Sequence, residues 1–166
     1  MGKAQYRHYG CRIIDESTYK GMRVVFLENE LIRVGILIDK GSDIFQFLYK
    51  PTDTDFLWRS PQGLINPNNF IPTNSNPSGA FLDHYHGGWQ EVLPGGGPAV
   101  YQGASLGLHG EVAHLAWDFD ILKDSEECVE ILLSTDCIRL PLRVEKRIKL
   151  LKNSGKLFID ECVINK

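Results

Sequence analysis

The chain has 166 residues, long enough for one domain with a sizeable core. Its 18 Lys and Arg against 21 Asp and Glu give a formal net charge of -3, so there is no positive excess to neutralise phosphates, and nucleic acid is not an expected partner. Four scattered cysteines without a C-x-x-C spacing fit a reducing cytoplasm. The start MGKAQYRHYG has no apolar signal core and places Tyr6 where a myristoylation motif needs Ser or Thr, so a soluble cytoplasmic protein with no membrane partner is expected.

Along the chain, apolar residues recur at a spacing of two rather than 3.6, which predicts an all-β domain. Residues 23–27 and 31–38 flank Glu28, Asn29 and Glu30 as a hairpin, and the turn at 39–42 leads into a third strand at 43–49. The 61–79 loop is rich in Pro, Asn, Ser and Gly, and loops of that length in a compact domain are commonly functional. Trp117, inside the strand-like WDFDIL, reads as core. A strand is expected at 128–135 after the acidic turn at 124–127. In the next, Leu142, Val144, Ile148 and Leu150 alternate with Arg143, Glu145, Arg147 and Lys149, giving one apolar and one charged face. Lys152, Asn153, Ser154 and Gly155 turn the chain into a last strand at 156–164. No segment has a helical period and no repeat appears, so residues 1–166 read as one antiparallel β-sandwich domain.

The chemistry-bearing residues concentrate in HYHGGWQEVLPGGGP and LGLHGEVAHLAW. His84 and His86 followed by Glu91 have the H-x-H-x4-E spacing by which a strand and its turn offer two imidazoles and a carboxylate to a divalent metal. That spacing resembles the first metal motif of the cupins, with His109 or His114 as a later ligand, although Gly79 stands one position too close to His84. The same histidines also read as hydrogen-bonding members of a polar pocket or as side chains facing solvent. Trp89, between Gly88 and Gln90, offers a flat apolar face to a sugar ring. His109 beside Gly110 can meet a hydroxyl or ring oxygen while the glycine lets a ligand approach the backbone. The glycines at 95–97 lack the Lys-Ser or Lys-Thr of a phosphate loop, and Ser105 in GASLG lacks the strand-turn-helix context of a nucleophile elbow.

In order, LENELIRVGILIDKGSDIFQFLYKPTDTDFLW, LGLHGEVAHLAWDF and VEKRIKLLKNSGKLFIDECVINK resemble the aldose 1-epimerase, or galactose mutarotase-like, family. His109, Gly110 and Trp117 stand at the places of its H-G-x6-W segment, and HYHGGWQEVLPGGGP resembles divergent members in which G-W-Q-E-x-x-P precedes L-H-G. The resemblance implies the first half of a β-supersandwich, a sugar as small-molecule partner, no cofactor, and acid-base exchange of anomers. In that scheme a base takes the C1 hydroxyl proton while an acid protonates the ring oxygen, a role that suits histidine. His109 is the carried-over candidate for ligand or acid. His84, His86, Trp89 and Glu91 are candidate substrate contacts from chemistry and loop position. The family's general-base glutamate is expected beyond Lys166. Glu111 and Ala113, where relatives that bind sugar phosphates carry a bulky residue and an arginine, disfavour a phosphorylated hexose. Two alternatives remain open, a cupin-like metal-binding barrel and a non-catalytic sugar-binding module. Unpaired sheet edges in such a half would favour self-association or a companion half.

Overall fold

The computed structural model describes residues 7–69 and 79–166, so Tyr6 and residues 70–78 of the 61–79 loop lie outside the described residues. The fold is all-β with antiparallel sheets. A meander of five strands, β1 (Arg12–Tyr19), β2 (Met22–Glu28), β3 (Ile32–Leu37), β4 (Asp43–Tyr49) and β5 (Thr54–Asp55), forms the first sheet in chain order. A single helical turn, α1 (Gly79–Asp83), and a small hairpin of β6 (Ala99–Tyr101) and β7 (Ala104–Leu106) precede the second sheet. That sheet is a second meander of β8 (Asp118–Asp124), β9 (Cys128–Asp136), β10 (Leu142–Leu151) and β11 (Leu157–Asn165), ordered β11-β10-β9-β8.

The two sheets share one core. Val25, Leu27, Val34 and Ile36 of the first pack in a single buried cluster with Ile131, Leu133, Ile148 and Leu150 of the second, and Trp117 joins them. Each such side chain, fully buried, stabilises the fold by about 1.5–3 kcal/mol before the entropy of ordering it is counted. β2 is buried on both faces: Val24 faces a smaller cluster with Met22, Leu37, Phe45 and Leu64, which explains its unbroken VVFL run. Gly35 is required there, since a Cβ would stand 2.8 Å from the rings of both Phe26 and Phe45.

The hairpin at 28–30 also ties the sheets together. Asn29 donates through Nδ2 to the carbonyls of Leu151 at 2.7 Å and Ser154 at 2.8 Å, while its Oδ1 accepts from the amides of Leu31 and Ile32. A buried amide with all these partners locks the β2–β3 turn onto the β10–β11 turn. Among the described residues no helix is long and apolar enough to cross a membrane. All four cysteines are free, Cys11 and Cys128 being buried and Cys162 exposed.

Candidate functional site

The site is built where the 84–93 segment runs between the sheets. His84 follows the end of α1, its amide donating to the Phe81 carbonyl at 3.2 Å, and Gly87 and Gly88 then carry the chain through positive φ of 86° and 78°. Both glycines are forced by close approach: a Cβ on Gly87 would lie 2.2 Å from the Trp58 carbonyl oxygen, and one on Gly88 would lie 2.7 Å from that of Ile44. Trp89 and Ile44 then exchange both backbone hydrogen bonds at 2.9 Å, so the segment continues the first sheet's pairing for one residue. His84 and His86 therefore precede this pairing rather than alternate along a strand, and the shared strand face expected from their spacing does not form.

His86 is buried beside a charged turn. Lys40 and Asp43 form an ion pair in which both side chains are almost wholly enclosed, Gln90 Nε2 donates to Asp43 Oδ2 at 3.1 Å, and His86 Nδ1 lies 3.9 Å from the same oxygen. Burial pushes the Asp43 carboxyl up, opposed by the Lys40 and Lys146 ammonium groups and by Gln90. Burial and the neighbouring Lys40 lower His86 to about 4, against a smaller opposite effect of the His84 backbone. His114 is likewise lowered to about 4, by burial first and then by Lys40, His84 and His109 nearby.

Both imidazoles are neutral in the fold, and the sign of their effect follows. Below the ordinary value of 6.5 the unfolded chain takes up protons that the folded chain refuses, so their contribution is complete above pH 6.5 and is lost as pH falls toward about 4. The raised Asp43 carboxyl works in the opposite direction. Urea midpoints are expected to fall between about pH 7.5 and pH 4.5, and His86→Gln with His114→Gln to flatten that limb. An acid limb unchanged in the double variant would show that these rings titrate as they do in the unfolded chain.

Beside the same segment lies a cleft of about 370 Å³, lined by Phe81, Leu82, Tyr85, Gly88, Gln90, Val92 and His109. Its aromatic wall is continuous: Tyr85 stacks on Phe81 at 5.6 Å between centroids and Phe81 meets the His109 ring edge-on at 4.4 Å, with Trp58, outside the lining, stacked on Tyr85 at 5.9 Å. His109 has a φ of 62°, an uncommon left-handed conformation that histidine tolerates better than most, and its amide donates to the Gly96 carbonyl at 3.2 Å. Because Asp43 accepts from the Gln90 amide nitrogen, the Gln90 oxygen is left over. It and His109 Nδ1 are buried without a hydrogen-bond partner among the described residues.

The candidate residues separate. His109 lines the cleft; Trp89, 47% exposed, stands between two lining residues without lining it itself; His84 and His86 are buried beside it. Glu91 turns the opposite way, accepting from Lys146 Nζ at 2.7 Å. Among the described residues no three His, Cys, Asp or Glu side chains converge where a metal ion could be held, so the H-x-H-x4-E spacing does not gather its residues. Ser105 lies in β7 with a turn, not a helix, after it. Glu111 is a buried anchor, its carboxylate accepting from the amides of Ile138 at 2.9 Å and Arg139 at 3.0 Å.

Several residues central to the site were not singled out by motif: Lys40, Asp43, Gln90, Phe81, Tyr85 and Lys146. Lys146 had a legible signal, a lysine inside the apolar column of β10, where a charge implies a buried partner. No protein-family model and no curated protein sequence matches the chain.

Proposed function

We propose that the cleft beside His109 binds a single sugar ring, and that the chain is a carbohydrate-binding protein of the galactose mutarotase-like, β-supersandwich kind. The observation that carries this reading is the conjunction of a continuous aromatic wall with two polar groups, Gln90 and His109, in one cleft of about 370 Å³. That size falls within the range of small-ligand pockets, and such pockets combine apolar walls with a few placed polar groups. Phe81 and Tyr85 suit the apolar face of a pyranose, and His109 is placed to meet a hydroxyl or ring oxygen. In anomer exchange its part is proton donation to the ring oxygen as the C1–O bond opens. No Asp or Glu is among the described lining residues, so the base is sought elsewhere and binding is the property to test first.

Titration calorimetry with galactose and glucose is expected to show saturable binding. His109→Ala and Gln90→Ala should each weaken it roughly ten-fold, the effect of one lost ligand hydrogen bond. Trp89→Ala decides whether that exposed ring closes over the ligand. Polarimetry on the same samples reads anomer exchange separately, so a protein that binds without turnover is a sugar-binding module. Failure of both sugars to bind the folded chain would end the sugar reading.

A further inference from the structure

The single bridge between Leu93 and Gly110 divides two clefts. Val92 and His109 line the one described above, while Gly110 of the bridge and Pro94 just after it line another of about 420 Å³. Val100, Tyr101 and Leu106 of the β6–β7 hairpin form one further wall, and Leu140 and Leu142 at the entry to β10 form the other. No charged side chain is among the described lining, and Asn165 and the Tyr101 hydroxyl are its polar side-chain groups. Val100 is 72% exposed and Tyr101 50%, so the hairpin holds apolar surface out of the core beside this cleft. His109 and Gly110 are consecutive, with Cα atoms about 3.8 Å apart, so the linings of the two clefts meet in the chain at this bridge.

We propose that the ligand is an amphiphilic sugar, a hexose carrying an acyl or alkyl chain, with its ring in the His109 cleft and its chain across the bridge in the apolar one. This rests on the sugar reading of the His109 cleft and adds the substrate class to it. Chemistry limits where the chain is attached. Ring opening needs a free C1 hydroxyl, so the chain is joined through another oxygen, and the simplest such ligand is a 6-O-acyl hexose. Nothing in the apolar cleft needs to react; the cleft contributes affinity by taking methylenes out of water, and a few of them suffice for a ten-fold gain.

The test compares galactose and glucose with their 6-O-hexanoyl esters by calorimetry on the whole chain. The esters are expected to bind roughly ten-fold tighter or more than the free sugars. Val100→Asp should remove that gain and leave free-sugar affinity unchanged, and its exposure means the fold tolerates the change. Tyr101→Ser serves as the second variant. Free sugar that binds as well as its ester overturns the amphiphile and leaves the sugar reading standing. Absence of binding by sugar and ester alike overturns both. A gain that survives both variants places the chain outside this cleft and also overturns the inference.

Discussion

Gly110→Ala is expected to be the most damaging single-methyl change in the site, destabilising the fold by about 3–5 kcal/mol and disabling the His109 cleft. Gly110 has a φ of 79°, where any side chain is strained. Space is the larger obstacle: an added Cβ would fall 1.9 Å from the Leu93 carbonyl oxygen and 2.5 Å from Pro94 Cδ. Neither neighbour is a flexible side-chain end, so the 93–94 backbone would have to move. Moving it breaks the hydrogen bond from the Glu111 amide to that same carbonyl, 2.9 Å long, and with it the bridge that sets His109 opposite Val92. Gly96→Ala provides the contrast, because an added Cβ there meets nothing within 4 Å and the backbone has no positive φ. Its effect should stay within about 0.5 kcal/mol. Urea midpoints of the two variants, with calorimetry for sugar, check both statements, and a Gly110→Ala protein as stable as Gly96→Ala would refute the close approach.

The same contrast explains what the sequence showed and hid. β10 was legible by its alternation, and β2, β3, β4, β9 and β11 by runs of β-branched and aromatic residues between turn signals, each within a residue or two. β1 was not, since its register shifts between Ile14 and Ser17 and the bulge places Asp15 and Glu16 where alternation would continue. The β6–β7 hairpin was short and exposed, and its signal was only Gln102 and Gly103, both at positive φ. At the site, His109 was legible because its neighbour is an obligatory glycine. The partnership of Gln90 with Asp43 was not, because it joins residues 47 apart whose meeting depends on how the 84–93 segment lies against β4. For His84 and His86, a spacing of two implies a common face only on a strand, and here it precedes two glycines at positive φ. Gln90 and Val92 line the cleft, so Glu91 faces the sheet behind them.

Lys146 makes that buried side of the segment the second sensitive point. It occupies the core face of β10 between Val144 and Ile148, 1% exposed, with its Nζ 2.7 Å from Glu91 Oε1, 3.2 Å from the Ser42 carbonyl and 5.3 Å from the Trp117 ring centroid. Its cross-strand partner is Glu161. Burial, and then the charge of Glu91 and a hydrogen bond with it, hold the Glu161 carboxyl above its ordinary value, with Lys146 opposing. The buried ammonium thus pairs directly with Glu91 and acts on the exposed Glu161 only at longer range. Lys146→Met keeps the apolar volume and removes the charge, leaving Glu91 unpaired beside Glu161; because Glu161 reaches water, which screens the repulsion, a loss of about 1–3 kcal/mol is expected at neutral pH. Adding Glu91→Gln should recover most of that, because an uncharged pair of similar volume replaces the ion pair and the amide can donate to Glu161.

The pH dependence separates this mechanism from a simple packing defect. A carboxyl raised in the fold holds its proton more tightly there than in the unfolded chain, so the stability it gives is present at low pH and is lost as pH rises through the raised value. Removing the ammonium that opposes the shift must steepen that loss. The deficit of Lys146→Met relative to the parent should therefore shrink toward about pH 4.5 and widen toward pH 8, while the double variant with Glu91→Gln should run nearly parallel to the parent. Urea titrations at the two pH values suffice. A deficit equal at both would mean that Lys146 acts through its packing on Trp117, and a negligible deficit at pH 8 that water already screens the two carboxylates from each other.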